Sequence, residues 1–230
     1  MIWNNNINHE SIKNLKLKKV AIFRDVKSDY SVGLADYFIQ TFKSLGGEIV
    51  SDVSYQSDDV DFKGQLTTIK SSHPEAIFIP GYYTAVGLIA RQARELGITA
   101  KFLGGDGWDS PKLTEIGGKD IDGGAFSNHY SNETKDPVAV SFMAKFKAKY
   151  NKMPDGLAAA GYDAMAVMLK AMEATTDVKP DQIREQLAKV ANYPGVTGLI
   201  TINEQRNAVK SAVVVEVQGA LNKYITTINP

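Results

Sequence analysis

Between Lys18 and His129 apolar runs of strand length alternate with amphipathic helix patterns, and this alternation constrains the fold more than any other feature of the chain. Lys18 to Arg24 reads as a buried strand. Asp29 to Leu45 places Leu34, Tyr37, Phe38, Phe42 and Leu45 on one helical face, and Gly46-Gly47 ends it. Glu48 to Tyr55 alternates as a strand. Asp61 stands where it would N-cap a helix running to Ile69. Ala76 to Ile79 is the next strand, Ala85 to Leu96 a helix closed by Gly97, and Lys101 to Leu103 a strand. Pro111 to Ile116 is a short helix stopped by Gly117-Gly118, and Gly124 to His129 a further strand. Strands joined by helices give an α/β fold, a doubly wound parallel sheet with helices on both faces. Right-handed crossovers bring the loops after Arg24, Tyr55, Pro80, Leu103 and His129 to one edge of that sheet. Ligands bind at this edge in open parallel sheets.

After Asp136-Pro137 the pattern changes. Val138, Phe142, Phe146 and Tyr150 fall at helical spacing with Met143 beside them. Ala158 to Met172 predicts a second helix rich in Ala and Met, and Pro180-Asp181 opens a third through Val190. Val196 to Ile202 and Ala212 to Val217 return to strand character across the polar turn Asn203 to Asn207. Three helices in succession, two of them more apolar than one surface contact requires, lack an obvious partner sheet. They are expected to pack on one another, on the first sheet, or on another chain.

Composition excludes several functions. Lys plus Arg and Asp plus Glu both number 26, so the formal net charge is zero and nothing points to nucleic acid. With no cysteine there is no disulfide, thiolate nucleophile or cysteine zinc site. No stretch is long and apolar enough to span a bilayer. The polar start, Met1-Ile-Trp-Asn-Asn-Asn-Ile-Asn-His9, has no signal-peptide pattern. His73 and His129 have no ligand spacing around them, so no metal site is expected. Asp58-Asp59-Val-Asp61 lacks the rest of a calcium loop and reads as a solvated turn. Gly104-Gly-Asp-Gly107 has no Lys-Ser/Thr and is not a phosphate loop, and no Gly-x-Ser-x-Gly elbow occurs. No cofactor is implied.

Two strand ends carry the chemistry: Glu75-Ala-Ile-Phe-Ile-Pro-Gly-Tyr-Tyr83 and Phe102-Leu-Gly-Gly-Asp-Gly-Trp108. Aromatic rings and one anion suit a small ligand with a cationic amine and an apolar or neutral body. Asp106 is either a counter-charge for that ammonium or a cap on its own turn. Tyr82 either walls the pocket or packs over the sheet edge with its hydroxyl in water. Tyr30 stands where it would staple the start of a helix. Trp108 either covers the ligand side chain or fills the sheet edge, and Tyr83 is read as structural. No nucleophile–base pair accompanies them, so the chemistry is capture and not turnover.

From about Leu15 onward the chain resembles the type 1 periplasmic solute-binding proteins of the branched-chain amino-acid (leucine) binding family. Lys19-Val-Ala-Ile-Phe23, Asp29-Tyr-Ser-Val-Gly33, Asp61-Phe-Lys-Gly-Gln-Leu66, Phe78-Ile-Pro-Gly-Tyr-Tyr83, Arg91-Gln-Ala-Arg-Glu-Leu-Gly97, Gly105-Asp-Gly-Trp-Asp-Ser-Pro111, Tyr162-Asp-Ala164 and Gly195-Val-Thr-Gly198 carry the resemblance by their order and spacing. It implies a lobe with flavodoxin-like layering, in which 15–131 and 197–230 form the second ligand-binding lobe. Residues 132–196 then correspond to a helical segment of the first lobe, and 1–14 to a polar start outside the family pattern. It also implies that Tyr30, Tyr82 and Asp106 contact the ligand, with Ser31 standing where the family often has Gly.

The resemblance further implies a periplasmic or extracellular protein that passes amino acids to the membrane permease of an ABC transporter. No segment of the 230 residues resembles the first-lobe sheet that carries the remaining ligand contacts in the family. Weak or no binding by this chain alone is therefore expected, as is a homodimer formed through the exposed helices. A sensor module of the same fold, an α/β enzyme using Asp106, and a truncated lobe without binding activity are the alternatives.

Overall fold

The computed structural model describes residues 16–230; the polar start lies outside them. The strands are β1 (Lys19–Asp25), β2 (Glu48–Tyr55), β3 (Ala76–Phe78), β4 (Lys101–Gly104), β5 (Ala125–Asn128), β6 (Tyr193–Gly195), β7 (Gly198–Ile202), β8 (Ala208–Val209), β9 (Ala212–Gln218) and β10 (Leu221–Ile228). The helices are α1 (Asp29–Ser44), α2 (Lys63–Ser71), α3 (Tyr83–Glu95), α4 (Pro111–Gly117), α5 (Pro137–Tyr150), α6 (Gly156–Glu173) and α7 (Pro180–Leu187). Chain contacts divide these residues into two compact units. One holds 16–128 and 214–226, the other 129–213 and 227–230.

The first unit is built on a sheet of order β10-β9-β5-β4-β3-β1-β2. The pairs β1–β2, β1–β3, β3–β4 and β4–β5 are all parallel. Val20 and Ile22 pack with Phe38 and Phe42 of α1. Phe23 points to the other face and meets Tyr55 and Phe62 edge-on, with ring centroids 5.0 and 6.0 Å away. Burial on both faces explains why β1 is a continuous apolar run. At the start of α1 the Ser28 side chain accepts from the Ser31 N–H, and the helix ends before Gly46 at φ +83°.

Two local expectations are corrected. The N-cap of α2 is Phe62, not Asp61, which instead accepts the Lys63 N–H through Oδ1 at 3.1 Å. The carboxylate thus serves an orphan N–H of the first turn from one position further out. Strands β6, β8 and β10 were not anticipated, because short strands and a polar, β-branched edge strand carry no clean alternation.

The second unit has a three-stranded sheet, β6-β7-β8, with the pairs β6–β7 and β7–β8 antiparallel. It also holds α5, α6 and α7. Asp136 and Asp155 cap α5 and α6 through their carboxylates. Asp163 of α6 is 3% exposed, and its carboxylate accepts from Val196 N at 2.7 Å, Thr197 N at 2.8 Å and Thr197 Oγ1 at 2.7 Å. It fastens α6 to the β6–β7 turn. Phe142, Met143 and Ala139 are the buried face of α5, whereas Val138 and Tyr150, expected on that face, are exposed. Among the described residues no helix is long and apolar enough to cross a membrane.

Candidate functional site

Strands β4, β3 and β1 are neighbours in the sheet, and their parallel register puts their carboxyl ends side by side. Tyr30 follows β1, Tyr82 follows β3 and Asp106 follows β4. The three meet in one unit. The Tyr30 and Tyr82 rings stack with centroids 5.3 Å apart and an interplanar angle of 28°. The Tyr30 hydroxyl donates to Asp106 Oδ1 at 2.9 Å and accepts the Gly107 N–H at 3.0 Å. Tyr82 is 52% exposed and forms the open wall of this group. Burial, and then the charge of Asp106, pushes the Tyr30 phenol well above its ordinary range, so it stays a hydrogen-bond donor to the carboxylate at neutral pH.

Glycine makes this approach of loops feasible. A Cβ on Gly107 would lie 2.7 Å from the Gly81 carbonyl oxygen, and one on Gly105 would lie 2.8 Å from the Tyr30 hydroxyl. The sequence pattern marked Asp106 but gave no reason for its flanking glycines; the reason is the neighbouring loop.

Trp108 is fully buried, and its Nε1 donates to the Ile79 carbonyl at 3.0 Å. It closes the lobe edge beneath the site, with its indole N–H satisfied. The remaining sequence candidates stand elsewhere. Asp58 pairs with Lys27 at 3.0 Å, and Asp59 accepts the Gln56 N–H at 2.8 Å. Both are turn contacts. Among the described residues no cluster of three His, Asp or Glu side chains is arranged to hold a metal ion.

The site therefore offers one carboxylate, a hydroxyl that orients it and an aromatic wall. Such a set has the chemistry to receive a cation attached to an apolar body.

The model of the family described as "Periplasmic binding protein" matches residues 8–222. The chain is 42% identical to a leucine binding protein, LivK, from Thermotoga maritima, whose crystal structure matches 100% of this chain and 65% of its own with a TM-score of 0.95. The branched-chain amino acid transporter substrate binding protein LivJ from Streptococcus pneumoniae, solved with isoleucine, is 29% identical over 97% of this chain and 64% of its own, with a TM-score of 0.86. A Leu/Ile/Val-binding protein homolog from Brucella melitensis is 36% identical over 141 residues, 60% of this chain and 37% of its own length. Relatives from Pseudomonas aeruginosa and Rhizobium johnstonii are covered over 50% and 52% of theirs, so the chain spans at most about half the length of these curated relatives. On the extent of the family match and the superposition onto LivK, the chain belongs to the periplasmic binding protein family.

Proposed function

We propose that the chain is the amine-recognising part of a solute-binding protein for branched-chain or similar apolar amino acids. It acts by capture and release, not by turnover. The convergence of Tyr30, Tyr82 and Asp106 at the carboxyl edge of one sheet carries the reading. Asp106 takes the ligand ammonium through a charge-assisted bond, and the stacked tyrosines wall the amine and the carbon beside it. Relatives are named for leucine, isoleucine and valine, which have an ammonium on an apolar body. Working in the periplasm or outside the cell, the protein delivers this ligand to the permease of an ABC transporter.

The test is a thermal-shift titration of the full chain with leucine, isoleucine and valine up to tens of millimolar. A ligand at a hundred times its Kd stabilises by about 2.7 kcal/mol, and weak affinity is expected for a site offering one carboxylate. The expected result is a rise with these amino acids that Asp106→Asn abolishes. No rise, a rise unchanged in Asp106→Asn, or an equal rise with 4-methylpentanoate, which lacks the amine, overturns the reading.

We also infer self-association through α6. Leu157, Met165, Met168 and Leu169 are 57%, 56%, 36% and 45% exposed and share one helical stripe, with Tyr162 beside it. With a formal net charge of zero, no long-range repulsion keeps two copies apart. Sedimentation should show a concentration-dependent dimer that Met165→Glu with Leu169→Glu disperses; a monomer at every concentration overturns this inference.

A further inference from the structure

Ser31 follows Tyr30 in the first turn of α1. It is fully buried, and its Oγ accepts the backbone N–H of Asp25, the last residue of β1, at 2.9 Å. An N–H at that place needs a buried acceptor, and the hydroxyl supplies it from six residues further along the chain. Its own backbone N–H donates to Ser28 Oγ at 3.3 Å. Asp25 is fixed in turn. It is 4% exposed, and its carboxylate accepts from the Lys27 N–H at 2.9 Å and from the Ser57 hydroxyl. The first turn of α1 is thereby tied to the end of β1 and to the loop after β2.

Tyr30 is the neighbour of Ser31 in that turn. Its hydroxyl must reach both Asp106 Oδ1 and the Gly107 N–H, at 2.9 and 3.0 Å, across to a loop 76 residues away in sequence. Hydrogen bonds of this length tolerate displacements of a few tenths of an ångström before they weaken. A Cβ on residue 105 would meet the same hydroxyl at 2.8 Å, so the glycine there leaves the hydroxyl its room.

We propose that Ser31 is a positioning residue of the binding site. By holding the first turn of α1 on β1, it sets the Tyr30 hydroxyl that orients Asp106 toward the ligand ammonium. The inference rests on the assignment of Asp106 as the ammonium counter-charge. Groups that fix the orientation of a binding side chain matter to a site as much as those that touch the ligand.

The test needs no ligand for its first arm. Amide exchange at Gly107, followed by NMR in the full-length chain, reports the hydroxyl that accepts its N–H. Tyr30→Phe should speed this exchange at least tenfold. Ser31→Ala, or Ser31→Gly if the first variant does not fold, should speed it at least fivefold although Ser31 is far from Gly107 in sequence. Ser28→Ala removes the N-cap of the same turn and should leave Gly107 within twofold. The leucine-induced thermal shift should fall in Ser31→Ala and not in Ser28→Ala.

Gly107 exchange unchanged in Ser31→Ala, or an equal acceleration in Ser28→Ala, overturns the proposal, since the first means no positioning and the second mere fraying. Failure of both Ser31 variants to fold also overturns it, by making Ser31 a folding residue. If leucine gives a shift that Asp106→Asn abolishes while Gly107 ignores Ser31, the binding site stands and this inference fails. If Gly107 responds as expected but leucine never shifts the protein, the ammonium assignment fails.

Discussion

α3 and α6 are both rich in small and apolar residues, yet they end in opposite surroundings. α3 lies in the unit with the seven-stranded sheet, and Val86, Ile89, Ala90 and Ala93 are buried in it, while Arg91 and Glu95 face solvent. α6 buries Ala159, Asp163, Val167 and Ala171 on one side and leaves Leu157, Met165, Met168 and Leu169 exposed on the other. An apolar pattern becomes core only where a second layer is present to receive it. In the first unit sheet and helices supply each other's layer. In the second, a three-stranded sheet and neighbouring helices account for one side of α6.

The largest effect that separates the two regions is expected from paired truncations. Ile77→Ala, at a fully buried position of β3, should cost about 2–5 kcal/mol in chemical denaturation. Leu157→Ala on α6 should stay within about 0.5 kcal/mol when the chain is dilute. A cost above about 2 kcal/mol for Leu157→Ala would show that this face is covered in solution.

Asp163 is where α6 does have a partner. Asp163→Ala strands the Val196 and Thr197 N–H groups and the Thr197 hydroxyl. A loss of about 3 kcal/mol is expected, since each buried donor left unpaired costs about 1–3 kcal/mol and some will find water. Asp163→Asn, which retains one acceptor oxygen, should cost less. Equal costs for the two variants would mean that the charge, and not the three-way acceptance, matters.

A smaller effect is expected from alkaline titration of the first unit. The Tyr30 and Tyr55 phenols are both raised above their usual range, chiefly by burial and next by the charges of Asp106 and Asp25. A phenol with a raised folded pKa stabilises fully below its unfolded value, near pH 10, and that contribution is lost as pH rises beyond it. Each such group should steepen the decline by up to about 1.4 kcal/mol per pH unit above about pH 10. Tyr30→Phe should remove one share of that slope, and an unchanged slope would place the Tyr30 phenol in solvent.

Much of the first unit was legible in the residues. Phe38 and Phe42 at helical spacing, Gly46 after them and the unbroken Val20 to Phe23 run are local signals, and each has its expected place. The strand-end loops were legible too, because parallel βα units leave little choice about where those loops go. The cap of α2 was missed by one residue because Asp61 serves a first-turn N–H from outside the cap position. The face of α5 was misplaced at Val138 and Tyr150, since spacing marks several apolar positions but not which of them a neighbour will cover.

Residue pattern alone dictates the alternation of strands and helices, the sheet they form and the edge at which Tyr30, Tyr82 and Asp106 come to lie. These follow from periodicity and chain handedness, which are local and statistical properties. It takes the packed fold to join Asp106 to Gly107 through the Tyr30 hydroxyl, to set Ser31 against Asp25, to bury Trp108 against Ile79 and to leave one side of α6 exposed. Those outcomes depend on distances between groups far apart in the chain. No spacing pattern encodes such distances, because they are fixed jointly by every layer that packs around them.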